Sequence, residues 1–211
     1  MNVLAIGAHP DDLEIGCAGT LIRHVQEGDE VFMAIATDGS MGGEPEVRRR
    51  EQLDAAKIVG ARDVFFLDYA DASFVCNRES IMRLEEVIMQ VDPDVVYTHF
   101  GEDTHQDHRN IARAVVPAAR SVPSLLFIEG LSSQHFDPSV FVDIGTVIHQ
   151  KLGSLEAHAS QVQKTNIQNM SIIDIARSVA NFRGIQGRVT YAEAFVPVRY
   201  FIEFSERQIR S

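Results

Sequence analysis

The chain has 211 residues, 45% of them hydrophobic and 23% charged, which is the composition of a globular protein and excludes a largely disordered chain. Its formal net charge of -11 argues against binding to nucleic acid or to an anionic membrane surface, because both would repel an acidic protein. The two cysteines, Cys17 and Cys76, are too few for a disulfide framework and are typical of a reducing compartment.

Short apolar runs alternate with amphipathic segments through the first two thirds of the chain. Five runs predict strands buried on both faces, at 3–7, 31–37, 64–67, 94–100 and 125–129. The segments between them predict helices near 16–28, 45–60, 78–91 and 106–120. This alternation indicates an α/β fold with a doubly wound, mostly parallel sheet of the Rossmann-like type.

The last third of the chain predicts a strand and helix extension of that sheet. We expect a strand at 140–145, helices near 145–158 and 170–184, and further strand material at 191–204. No repeat or long linker interrupts the sequence, so we expect one domain over residues 1–211. The apolar runs are shorter than the ~20 residues of a membrane-spanning helix, and no basic segment typical of a signal peptide opens the chain, so we expect a cytoplasmic protein.

Two clusters of ionisable side chains follow the first and fourth predicted strands. They lie in GAHPDDLEIGCAGT at 7–20 and in GEDTHQDHRN at 101–110. Their histidines and main carboxylates are His9, Asp11, Asp12, His105, Asp107 and His108. With the common strand order 3-2-1-4-5, strands 1 and 4 are neighbours at the point where the order reverses, and ligands bind at the carboxyl ends of such strands. We therefore expect the two clusters to face each other across one crevice.

Imidazoles and carboxylates without thiolates are typical of a catalytic metal site that keeps one coordination position open. Zinc is the first expectation, but the same ligand types bind Fe²⁺, so the residue set leaves the metal open. A spare carboxylate beside the ligands can take a proton from a metal-bound water, which indicates hydrolysis. In the alternative interpretation, Asp11 or Asp12 caps the following helix and the histidines are solvated loop residues.

Three other functions are weighed against a metal-dependent hydrolase. Nucleotide binding is disfavoured, because Gly7, Gly16 and Gly19 lack the G-x-G-x-x-G spacing and a pyrophosphate would meet Asp11 and Asp12. A metal-dependent amidase or esterase acting on a different small acylated substrate stays open, because fold and metal do not select the acyl donor. A metal-binding or sugar-binding protein without catalysis is the third alternative.

Five motifs in chain order resemble those of the PIG-L/LmbE-like family of zinc-dependent N-acetylglucosaminyl de-N-acetylases. They are A-H-P-D-D at 8–12, T-D-G at 37–39, the helical pattern from Arg48 to Gly60, D-T-H-Q-D-H at 103–108 and A-E-A-F at 192–195. The resemblance, strongest to small bacterial members that act in bacillithiol synthesis, implies removal of acetyl from an N-acetylated amino sugar. It also implies Zn²⁺, with Fe²⁺ or another divalent metal as the alternative, and a homo-oligomer, either a trimer or a hexamer.

The same resemblance implies roles for individual residues. It matches His9, Asp12 and His108 to the metal ligands and Asp11 to the general base that activates water. His105 matches the imidazole that assists the transition state, as a cation facing the oxyanion or as a proton donor to the amine.

Other positions match the family less completely. Asp107 would orient or polarise His105, and Arg48 matches an arginine near the sugar pocket. Asp38, in the T-D-G motif, is expected beside the same crevice as a second substrate-binding residue. Asp103 stands where some members carry a tyrosine that donates to the oxyanion, and the family segments around His158 and Glu193 assign neither residue a role.

Overall fold

The computed structural model describes residues 1–165 and 167–202. Its strands are β1 (Asn2–Gly7), β2 (Glu30–Thr37), β3 (Asp63–Tyr69), β4 (Val95–His99), β5 (Ser124–Ile128), β6 (Val140–Asp143) and β7 (Ala192–Arg199). Its helices are α1 (Asp12–Gly16), α2 (Ala18–Gln26), α3 (Pro45–Val59), α4 (Arg78–Val91), α5 (Gln106–Ala118), α6 (Ile148–Glu156) and α7 (Ile172–Gly187).

All of these strands join one sheet with the order β3-β2-β1-β4-β5-β7-β6. The strands β1 to β5 pair in parallel, whereas β7 runs antiparallel to both β5 and β6. The predicted α/β fold with a doubly wound, mostly parallel sheet and a C-terminal extension is confirmed. Residues 203 and 204 of the last predicted strand lie outside the described residues.

The sheet is buried on both faces, which explains the continuous apolar runs. In β1, Val3 and Ala5 belong to one core cluster and Leu4 and Ile6 to the other, and all four side chains are fully buried. Because the central strands are covered by helices on both sides, every position along them favours an apolar side chain. Among the helices in the described part of the chain, none is both long and apolar enough to cross a lipid bilayer.

The helix predicted near 16–28 corresponds to α2, and the short helix α1, which was not predicted, precedes it. The backbone of Cys17, whose φ is -149°, separates the two helices. Cys17 offers no side-chain cap to α2. The Glu193 carboxylate in β7 takes this place by accepting hydrogen bonds from the N–H groups of Gly19 at 2.9 Å and Thr20 at 2.6 Å. Both amides belong to the first turn of α2, and the N–H groups of a first turn have no acceptors within their own helix.

Lys151 completes the same junction from α6. Its ammonium group donates to the carbonyls of Glu14 at 3.0 Å and Ile15 at 2.7 Å, at the end of α1, and to Glu193 at 2.5 Å. Both charged side chains are almost fully buried. The pair thus holds the end of one helix, the start of the next and strand β7 together, which gives Glu193 a structural role.

We expect Lys151→Met to lower the free energy of unfolding by about 3–5 kcal/mol, because it leaves the buried Glu193 carboxylate unpaired. Lys57→Met is the matched control, since Lys57 pairs with Asp54 at 2.8 Å on the exposed surface, and an exposed pair contributes less than about 1 kcal/mol. Urea unfolding followed by circular dichroism measures both. Equal losses in the two variants would contradict the structural role of the buried pair.

Candidate metal centre

The ionisable side chains gather at the carboxyl ends of β1, its neighbour β4, and β3, which is separated from β1 by β2. His9 lies two residues after β1, His99 is the last residue of β4, and Asp71 lies two residues after β3. Asp12 opens α1, and His105 is the N-cap of α5, so that Asp107 and His108 fall in the first turn of that helix. Residues almost a hundred positions apart therefore meet at one edge of the sheet, as the strand order requires.

Asp12 lies at the centre of this cluster. Its Oδ2 accepts the backbone N–H of His9 at 2.7 Å and lies 3.2 Å from His9 Nδ1. The same oxygen lies 3.2 Å from His99 Nε2, and Oδ1 lies 3.3 Å from His108 Nε2. One carboxylate thus contacts three imidazoles that come from different segments of the chain.

Two further carboxylates approach His9 from its other side. His9 Nε2 lies 3.1 Å from Asp71 Oδ1 and 3.3 Å from Asp107 Oδ2. The loop after β3 holds both carboxylates in place, because Ala72 donates its N–H to Asp107 at 2.9 Å, while Asp71 accepts that of Met41 at 3.0 Å. The Asp107 side chain therefore contacts His9, whereas its link to His105 runs through its backbone.

His105 can act as a hydrogen-bond donor through its Nε2. Its Nδ1 accepts the backbone N–H of Asp107 at 3.3 Å, so in the neutral ring the proton resides on Nε2. Its ring centre lies 4.7 Å from that of His9 and 4.6 Å from that of His108. Burial, together with His108 and His9, lowers the pKa of His105. This environment favours a neutral imidazole over the cation, which is one of the two roles that the family resemblance implies for His105.

Asp103 orients His108. Its Oδ2 lies 3.2 Å from His108 Nδ1, and its Oδ1 accepts the hydroxyl of Ser132 at 2.6 Å and the backbone N–H of His105 at 2.7 Å. Burial would raise the pKa of this carboxyl, but His108 and these hydrogen bonds hold it well below its usual range. An ionised Asp103 therefore acts on His108 instead of donating to a substrate, as a tyrosine would.

His99 is a fourth imidazole in the cluster, stacked on His108 with 4.0 Å between the ring centres. Its Nε2 accepts the backbone N–H of Ala8 at 3.0 Å, which requires a lone pair on that nitrogen. Burial and the neighbouring His108 lower the pKa of His99 to about 4. His99 is thus a neutral histidine whose acceptor nitrogen also lies against Asp12.

The electrostatics of the cluster favour bound positive charge. Burial alone would lower the pKa of His9, yet Asp12, Asp107 and Asp71 raise it to about 12. Burial opposes the charged form of His108 as well, but Asp12 and Asp103 raise its pKa to about 9. The carboxylates therefore stabilise cations at both imidazoles, and a divalent metal would supply the same charge through the same nitrogens.

The donor atoms fit such a metal. Within the described residues, three overlapping groups offer nitrogen or oxygen ligands that lie within 4.8 Å of one another: His9, His105 and His108; Asp12, His99 and His108; and His9, Asp71 and Asp107. In the same part of the chain, the buried Oδ1 of Asp107 has no hydrogen-bond partner. Imidazole and carboxylate ligands suit Zn²⁺ and Fe²⁺ equally, so this set indicates a site for a divalent transition metal.

Asp11 is held apart from these donors by its backbone. Its φ of 97° is unusual for a residue other than glycine. Its N–H donates to Gln52 at 3.2 Å, and its carboxylate accepts from Arg48 at 3.1 Å. Burial and the neighbouring Asp12 raise the pKa of Asp11 to about 7, although Arg48 acts in the opposite direction. Asp11 is thus a carboxyl that gains and loses a proton near neutral pH.

Three fully buried polar side chains lie behind Asp11. Gln52 donates to Glu14 at 2.8 Å, and His158 Nε2 lies 3.4 Å from the second oxygen of Glu14. All three side chains are inaccessible to solvent. This network supports the loop that carries Asp11, which gives His158 a place beneath the site.

The two predicted substrate residues occupy different positions. Arg48 is 96% buried and donates to the carbonyls of Gly39 and Pro10 in addition to Asp11, so its guanidinium mainly fixes loops. Asp38 accepts the backbone N–H groups of Ser40 and Asp71, each at 3.0 Å. Asp38 lines a separate small cavity together with Pro10. It reaches the site only indirectly, by accepting the backbone N–H of Asp71 and so supporting the loop after β3.

One open cavity of about 560 Å³ brings the reactive groups together. Its walls include both predicted clusters and Arg48, namely His9, Asp11, Asp12, Arg48, His105 and His108. Asp71 also lines this cavity, although no motif in the sequence marks that residue. Asp71 lies two residues after β3. This position would identify it as a candidate once the site is known to lie at the carboxyl ends of the strands.

Comparison with known proteins shows which family of proteins this chain matches. The family model of PIG-L, GlcNAc-PI de-N-acetylase, matches residues 4–119. Deacetylase YaiS from Escherichia coli, itself uncharacterized, is 35% identical over 168 residues, covering 75% of this chain and 91% of that protein. Diacetylchitobiose deacetylase from Thermococcus kodakarensis is 29% identical and covers 93% of this chain and 83% of its own.

A solved structure shows how widely this fold is used. The structure of GalB, the 4-carboxy-2-hydroxymuconate hydratase from Pseudomonas putida, matches with a TM-score of 0.83 at 20% identity, covering 98% of this chain and 100% of that one. This likeness concerns the fold alone. Proteins named for two different reactions share the fold, so the reaction has to be argued from the residues of the site.

We expect the protein to bind a divalent metal through His108, so that His108→Ala weakens Zn²⁺ binding by more than about 100-fold. Asp103→Asn is expected to weaken it by about 10–100-fold, because Asp103 orients the His108 ring. His149→Ala, which removes an exposed histidine from α6, serves as the control. Competition with a chromophoric chelator measures the affinities, and wild-type binding by His108→Ala would exclude this site.

Proposed function

This chain belongs to the PIG-L family, and we propose that it is a metal-dependent hydrolase that removes the acetyl group from an N-acetylglucosamine-type substrate. The observation that carries this proposal is the position of Asp11. Its carboxyl is paired with Arg48, is partly accessible to solvent, and lines the same cavity as His9, Asp12 and His108 without belonging to the donor cluster. A protein that only binds a metal or a sugar has no need of such a group. The names of the deacetylase relatives support the acetylated amino sugar as substrate.

In this proposal His9, Asp12 and His108 hold the metal. When bound, the metal acts as a Lewis acid that polarises the acetyl carbonyl and makes water more acidic. Asp71 and Asp107 lie against His9, and Asp103 lies against His108. These carboxylates orient the two imidazoles and increase their basicity, as partners of histidine ligands commonly do.

Asp11 is the proposed general base. A carboxyl with a pKa of about 7 is about half ionised at neutral pH, so it can both accept a proton and return it. Arg48 fixes the Asp11 carboxylate at 3.1 Å, so the acceptor oxygens are already oriented before the substrate arrives. Hydrolysis adds the hydroxyl group of water to the acetyl carbon and the remaining proton to the amine. Asp11 takes that proton from water and delivers it to the leaving nitrogen.

His105 is the proposed donor to the carbonyl oxygen as negative charge develops on it. The bond from the Asp107 backbone to Nδ1 leaves the Nε2–H free to point away from α5. A neutral donor of this kind is worth about 3–4 kcal/mol when it is positioned for the transition state. Because Asp103 is occupied with His108 and Ser132, His105 carries this task without help from that position.

We expect the metal-loaded protein to release acetate from at least one N-acetylated amino sugar. The panel is N-acetylglucosamine, its malate glycoside and short chitooligosaccharides, with simple N-acetyl amides and acetyl esters included for the alternative of another small acylated substrate. Enzymatic determination of acetate measures the product. Full metal occupancy without acetate from any member would instead favour a binding protein without catalysis.

We expect Asp11→Asn to retain the metal and to lower kcat by about 10²–10⁴-fold, the range expected for losing a general base. The amide keeps the size of the side chain but cannot accept the proton from water. Asp12→Asn is the matched comparison, because it should lose metal as well as activity. Metal analysis and kcat are measured on the same preparations. If both variants lose metal equally, the separate roles of the two aspartates are refuted.

A further inference from the structure

A second cavity opens from the side of the one that holds the reactive groups. It has a volume of about 460 Å³ and shares with the first cavity the residues Ile15, Gly130, Leu131, Ser132, Lys164 and Ile172. A substrate bound at Asp11 and His105 therefore has direct access to this second space, which we call the side chamber. Its volume lies within the range of small-molecule pockets.

The walls of the side chamber are mainly aliphatic. The first turns of α7 contribute Ile172, Ile175, Ala176 and Val179, and the segment before α7 contributes Ile167. Leu131, in the loop after β5, lies between the two cavities and is 50% exposed, while Ile167 is 53% exposed. An apolar ligand would remove this surface from water, and each buried methylene group would strengthen binding by about fourfold.

The polar groups along the side chamber already have partners in the protein. Glu129 is paired with Arg183, whose Nε donates to it at 2.8 Å, and Ser132 donates to Asp103 at 2.6 Å. Ser133 donates to the same carboxylate at 3.2 Å, and Lys164 donates to the carbonyl of Gly42. A ligand in this space would thus find an extensive apolar wall and few free hydrogen-bonding groups apart from the exposed ammonium of Lys164.

We propose that the side chamber binds an apolar group carried by the amino-sugar substrate, so that the preferred substrate is an amphiphilic conjugate and not a free sugar. The amino-sugar part rests on the proposed function, whereas the apolar part rests on the chamber itself. The apolar group can be attached at two places, either as an aglycone on the sugar or as an N-acyl chain longer than acetyl. Both attachments present the same chemistry to the chamber.

Two substrate series distinguish the attachments. One compares methyl with octyl N-acetylglucosaminide, and the other compares N-acetylglucosamine with N-octanoylglucosamine, all below their micelle concentrations. Formation of the free amine is the common readout. We expect kcat/KM to rise at least tenfold with chain length in one series, mainly through KM. No rise in either series would overturn the proposal.

A matched pair of variants on α7 tests the location. Val179→Glu places a charge in the side chamber, and Ile185→Glu places one on the same helix at a residue that is 64% exposed and lines neither cavity. We expect Val179→Glu to abolish the preference for the octyl substrate while the short substrate keeps its kcat/KM within about twofold. Ile185→Glu should retain the preference. Equal behaviour of the two variants would refute the chamber as the binding site.

Calorimetric binding of octyl glucosaminide and of N-octanoylglucosamine, one ligand for each attachment, separates this proposal from the proposed function. If no panel member is hydrolysed, but either ligand binds to wild type and at least tenfold more weakly to Val179→Glu, the chamber stands and the proposed function fails. If short substrates are hydrolysed without any benefit from the octyl chain, the chamber proposal fails and the proposed function stands. Absence of both hydrolysis and binding refutes both.

Discussion

The chemistry of this protein depends on the density of buried carboxylates around two imidazoles. Asp12, Asp71 and Asp107 surround His9, while Asp12 and Asp103 surround His108, all at 3.1–3.3 Å. Two unit charges 4 Å apart interact by about 4 kcal/mol at the effective dielectric of a protein near its surface. The cluster therefore requires positive charge. Protons on the histidines can supply it, and a divalent cation would displace them, which couples metal binding to proton release.

Much of this arrangement could be predicted because the residues with metal-binding side chains follow the same two strands that the sheet topology brings together. The strand order brings the ends of β1 and β4 together, and the two clusters that combine histidine with aspartate follow those strands directly. Asp71 and His99 could not be singled out in the same way. A lone aspartate in the turn after β3 has the ordinary composition of a loop, and a histidine that ends a buried strand is indistinguishable from one that only fills the core.

The buried links between distant segments lay beyond prediction for a different reason. Glu193 caps α2 from a strand 173 residues further along the chain, and no local pattern marks such a contact. Asp11 is similar. Aspartate tolerates a positive φ better than most residues, but the strain of about 1–3 kcal/mol persists only because surrounding contacts enforce it. Those contacts come from Arg48 and Gln52 in α3. Arg48, expected at the substrate, thus has a positioning role as well.

The division of the chain also suggests where selectivity resides. The proposed metal ligands, the base Asp11 and the donor His105 all lie within residues 4–119, the part that matches the family model. Apart from Ile15, the side chamber is built from the loop after β5, the segment before α7 and α7 itself, all beyond residue 119. A metal, a base and a donor treat every acetylated amine alike, because they contact only the reacting atoms. Discrimination between substrates must come from walls that contact the rest of the molecule. Under the side-chamber proposal, the walls that select the apolar group lie almost entirely beyond residue 119.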